Sequence, residues 1–64
     1  MIKINGEVKN LDNCNLLEYI KANGYKLEVI AVELNGNIIK KSDFANITLK
    51  DGDSVEIVSF VGGG

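Results

Sequence analysis

Four dipeptides, Asn5-Gly6, Asn23-Gly24, Asn35-Gly36 and Asp51-Gly52, cut a chain of 64 residues into short pieces and fix where its backbone can reverse. Asn and Gly accept the positive φ that the tightest hairpin turns demand, so such a pair between alternating apolar residues predicts a hairpin. Ile2 and Ile4 alternate with Lys3 and Asn5 at the strand period. Asn5-Gly6 then turns the chain into a second strand, roughly 7–11, with Val8 expected to point inward. Asn23-Gly24 has a different use. From Asp12 the apolar spacing becomes helical, with Leu16, Leu17 and Ile20 on one face and Glu18 and Lys21 beside it. Asp12 or Asn13 is the expected N-cap, and Asn23-Gly24 the left-handed stop. A helix of about three turns is marginal alone and needs a sheet to lie on.

The remaining pieces supply that sheet. Val29 to Leu34 is β-branched and apolar, Asn35-Gly36 turns it, and Ile38-Ile39-Lys40 returns. Ser42-Asp43-Phe44 is expected to form a capped helical turn that drops Phe44 into the core. Asp51-Gly52-Asp53 is a further turn, opening a last strand from Ser54 to Phe60. The order is hairpin, helix, strand, turn, strand, connector, strand. The helix must cover one sheet face, since its apolar stripe has no other cover. This is the plan of an α+β, ubiquitin-like β-grasp, a mixed sheet of four to five strands with the first and last near its centre and one main helix packed on one face, although the hairpins alone do not distinguish it from other small α+β folds.

Composition excludes several kinds of chemistry. The chain has no His and no Arg, which removes Ser-His-Asp catalysis, His-ligated metals and bidentate guanidinium clamps. Cys14 is the single cysteine, so neither an internal disulfide nor a thiolate zinc cluster is expected. Seven basic against nine acidic residues give a net charge of −2, without the basic face that nucleic acid requires. The apolar run 29–32 is far below the ~18 residues of a membrane span. The expectation is a cytoplasmic chain with no nucleic-acid or membrane partner.

The most informative stretch is the end, Phe60-Val61-Gly62-Gly63-Gly64. Residues without Cβ can pass a channel too narrow for any side chain. Residues 61–64, fully extended, reach about 13 Å. The terminal α-carboxyl is an anion at neutral pH and can attack the α-phosphate of a nucleotide, giving an acyl-adenylate open to a sulfur nucleophile. The reading divides the chain into a β-grasp domain, 1–60, and a flexible C-terminal glycine tail, 61–64. It makes Gly64 the point of covalent attachment, Gly62 and Gly63 the segment that threads, and leaves no catalytic side chain and no metal ligand.

A β-grasp order, an Asp-Gly-Asp turn, the strand Ser-Val-Glu-Ile-Val-Ser-Phe and a Val-Gly-Gly-Gly end together resemble the ThiS-type sulfur carriers of thiamine biosynthesis. Gly63 and Gly64 match that family's diglycine end, and Asp51, Gly52 and Asp53 its turn. The resemblance implies that an adenylating, ThiF-like enzyme using ATP and Mg activates Gly64, the carrier itself binding no cofactor. It implies that sulfur from a cysteine-desulfurase-derived donor makes a thiocarboxylate, and that thiazole synthase takes the sulfur. The diglycine end is shared with the molybdopterin-synthase small subunit and with ubiquitin. A molybdopterin-type carrier and a ubiquitin-like protein modifier are therefore the alternatives. The chain lacks the arginines that precede ubiquitin's glycines and is shorter than typical molybdopterin carriers.

A docking surface is expected beside the tail. If Val55 and Ile57 face the helix, Glu56, Val58 and Phe60 lie on the opposite face. With Val61 they form the expected partner-binding set, which Ala31 and Glu33 extend. Other signals carry less. Asp51-Gly52-Asp53 lacks the remaining ligands of a calcium loop. Cys14 lies near a helix N-terminus, where a thiol pKa can fall, but reads best as an incidental small residue. Lys40-Lys41 reads as a solvated edge.

Overall fold

The computed structural model describes residues 1–60; Val61, Gly62, Gly63 and Gly64, with the expectations placed on them, lie outside the described residues. The opening hairpin pairs β1 (Ile2–Ile4) with β2 (Glu7–Lys9) through Asn5 and Gly6, both at positive φ. Next come β3 (Cys14–Asn15) and the helix α1 (Leu16–Ala22), then β4 (Ile30–Leu34) and β5 (Asn37–Ile39). A 3-10 segment, Lys41–Asn46, leads to β6 (Thr48–Leu49), and β7 (Ser54–Ser59) closes the described fold.

Five strands make one sheet in the order β2-β1-β7-β4-β5, so the last strand is central and the first lies beside it. β1 and β7 run parallel while the other neighbours are antiparallel, which is the mixed sheet of a β-grasp. One sheet face is dry. Ile2 and Ile4, Val55 and Ile57, and Ile30 and Val32 bury there against Leu16 and Ile20 of α1, with Phe44 and Leu49 completing the core. Phe44 is 1% exposed, as its place after the second hairpin predicts.

Several local expectations are corrected. Val8 points outward, 61% exposed, because the hairpin register sets it opposite Lys3 and not beside an isoleucine. The second strand ends at Lys9, where Leu11 N–H turns back to the Lys9 carbonyl at 2.9 Å. Neither Asp12 nor Asn13 caps the helix. Cys14 and Asn15 first pair with Leu49 and Thr48, so the helix starts late, and Asn15 Oδ1 accepts from Glu18 N–H at 3.0 Å. The helix is seven residues long, nearer two turns than three. Ser42 caps nothing, since the 3-10 segment has already begun at Lys41 and no side chain caps it. Val29 belongs to a 3-10 turn, Leu27–Val29, and the strand begins one residue later.

Candidate functional site

The sheet face away from α1 is open. Alternation along β7 sends Val55 and Ile57 into the core and leaves Glu56 and Val58 on this face. Phe60 continues the alternation one residue past the strand, its N–H donating to the Val29 carbonyl at 2.8 Å. Cross-strand register sets Ala31 opposite Val58, and Glu33 opposite both Glu56 and Ile38. Val58 is 56% and Phe60 58% exposed, so the described residues of the expected docking set share one surface at the end of β7.

Ile38 and Val8 also belong to this face and were not foreseen on it; Ile38, at 71%, is the most exposed large apolar side chain of the described residues. The signal for Ile38 was available. Adjacent strand residues face opposite ways, so with Ile39 packed against the core Ile38 points outward.

The platform under this face is pinned by two asparagines that also make the turns. Asn5 Oδ1 accepts from Ile57 N–H at 2.7 Å, which ties the first turn to the middle of β7. Asn35 Oδ1 accepts from Ser54 N–H at 2.9 Å while its Nδ2 donates to Asp53 Oδ1 at 3.0 Å. Asp53 Oδ2 accepts from Lys50 N–H at 2.8 Å, and these bonds hold the Asp53 carboxyl below the usual carboxylate range, the Lys50 amide contributing most. The Asp53 carboxylate is thus engaged in turn geometry, with Gly52 at φ +94°, while the Asp51 carboxylate accepts from the N-terminal ammonium of Met1.

Cys14 is half-buried against the core, and burial pushes its thiol up, the reverse of the activation that a helix N-terminus can give. Among the described residues no three His, Cys, Asp or Glu side chains gather in metal-binding geometry, and no concave pocket forms. No helix is long and apolar enough to cross a membrane. What these residues offer is a sheet face with exposed apolar side chains, Val58, Phe60 and Ile38, beside charged ones.

Known proteins are similar to this chain in sequence and in fold. The ThiS family model matches residues 2–64. The sulfur carrier protein ThiS of Bacillus subtilis is 39% identical over 67 residues, covering all of both chains. A thiazole synthase of Paramagnetospirillum magneticum is 40% identical over 62 residues, covering 95% of this chain and 19% of the synthase. The chain spans about a fifth of the length of the thiazole synthases it matches. The crystal structure of the thiamine biosynthesis protein ThiS from Geobacter metallireducens superimposes with a TM-score of 0.77 at 36% identity, covering 98% of this chain and 97% of that one.

Proposed function

The chain belongs to the ThiS family, and from that premise we propose that it is a cytoplasmic sulfur carrier of thiamine biosynthesis whose reactive group is the carboxylate of Gly64. The observation that carries this reading is the likeness over the whole chain to a protein of the same size named as a ThiS sulfur carrier. In the proposed cycle a ThiF-like enzyme with ATP and Mg joins a Gly64 carboxylate oxygen to the α-phosphorus, and pyrophosphate leaves. The persulfide of a cysteine-desulfurase-derived donor then displaces AMP to give an acyl disulfide. A thiol reductant cleaves its S–S bond to leave the thiocarboxylate, and that thiocarboxylate gives its sulfur to thiazole synthase. The chain is co-substrate, not catalyst.

The roles of its parts follow. Gly62 and Gly63 thread the partner's channel, because without Cβ atoms they pass where other residues would collide. Glu56, Val58, Phe60 and Val61 dock the rigid platform. Thiazole synthases that contain a segment similar to this chain support that enzyme as a partner. The test is the intact mass of the chain after incubation with the adenylating enzyme, ATP, Mg, a persulfide donor and a thiol reductant. A gain equal to replacing one oxygen by sulfur is expected, and an unchanged mass with demonstrably active partners would overturn the reading.

A further inference from the structure

The central strand outruns its neighbour on one side. β7 has six residues and β1 three, and their parallel pairing covers only Lys3 with Ser54 and Ile4 with Val55. Past that point the Asn5 side chain stands in for a strand, its Oδ1 accepting the Ile57 N–H that a longer β1 would have accepted. Successive residues of a strand direct their backbone groups to opposite sides. On the β4 side, the Ser54 carbonyl accepts from Asn35 N–H and Phe60 N–H donates to the Val29 carbonyl. On the β1 side, the Val55 carbonyl accepts from Asn5 N–H and Ile57 N–H donates to Asn5 Oδ1. The Ile57 carbonyl and both backbone groups of Ser59 therefore point to the β1 side, beyond the Asn5-Gly6 turn. None of the three has a backbone partner among the described residues. Ser59 is exposed, as are Val58 and Phe60 on either side of it.

An unpaired strand edge is a template for another strand. This one lies directly before residues 61–64, whose full reach is about 13 Å, so an enzyme that handles Gly64 must come up against it. We propose that thiazole synthase lays an extended segment of its own backbone along residues 57–59, completing the sheet where β1 stops. The inference rests on the carrier reading and names a contact that orients the end of the chain in that enzyme. Main-chain hydrogen bonds supply the attraction in such strand addition, so the pairing asks for no particular side chain on the enzyme. The Ser59 N–H donates to the added segment, and the Ile57 and Ser59 carbonyls accept from it.

The test compares the parent chain, Ser59→Ala and Ser59→Pro in affinity for purified thiazole synthase and in unfolding midpoint. Alanine keeps the Ser59 N–H and proline removes it. Proline is tolerated in a strand where its nitrogen faces solvent, so Ser59→Pro should unfold near the parent's midpoint. It should bind about tenfold more weakly, while Ser59→Ala binds as the parent does. Amide exchange at Ser59 should be fast in the free parent and slowed in the complex. Equal affinity of the two variants, or exchange at Ser59 that the synthase does not slow, overturns the proposal. So does a Ser59→Pro chain that unfolds far below the parent, since the fold would then be using that N–H. A parent chain that takes up sulfur yet does not bind the synthase overturns the proposal alone; one that does neither overturns the carrier reading with it.

Discussion

Asn35 sits at φ +50° in the β4–β5 turn, and its side chain bonds both Ser54 N–H and Asp53. An alanine there would hold a strained left-handed backbone and leave two polar partners to water, so Asn35→Ala should cost about 2 kcal/mol in urea denaturation. Asn35→Gly relieves the backbone strain but loses the same bonds, and should cost less. The turn was legible from Asn35-Gly36. The bond to Ser54 was not, because the two residues are 19 apart in sequence and no local pattern announces the contact. Asp53 adds a pH dependence. Its folded pKa is depressed, so the stability it contributes is present above the unfolded value near pH 4 and is lost as pH falls through the folded value. Stability measured from pH 7 to pH 2 should fall at the acid end, and Asp53→Asn should flatten that fall.

At the scale of elements, α1 depends on its cap more than its length allows it to depend on itself. Seven residues are too few for a self-sustaining helix. Asn15 accepts from Glu18 N–H and donates from Nδ2 to the Ala45 carbonyl at 2.9 Å, joining the helix start to the 3-10 segment. Asn15→Ala should therefore cost at least the ~1 kcal/mol of an ordinary cap, read as a lower denaturation midpoint, with Asn15→Asp recovering the capping share alone. The spacing Asn15-x-x-Glu18 is a helix-start signal that could have been read. It was obscured by Asp12 and Asn13, which are also capping residues. The β3–β6 pair was not legible, since two-residue strands are too short to show a period. Val8 failed for a related reason: three residues of apolar-polar alternation do not say which parity faces in, and the register across Asn5-Gly6 decides it.

For the whole molecule, the fold was legible because turn chemistry, helical spacing and strand alternation agree on one order of elements. The open face followed from the alternation of β7. Its extension to Ile38 needed the pairing of β4 with β5. On the carrier reading, a chain lacking Gly63 and Gly64 should unfold at an unchanged midpoint yet fail to accept sulfur. A midpoint lowered along with activity would mean that the glycines serve the fold. The central claim, that the chemistry belongs to the terminal carboxylate and the platform only presents it, is tested most directly by fragment mass spectrometry of the sulfur-loaded chain. The added mass should fall on the fragment ending in Gly64, with Cys14 unmodified. Sulfur found on Cys14 instead, with Gly64 unchanged, would contradict the account.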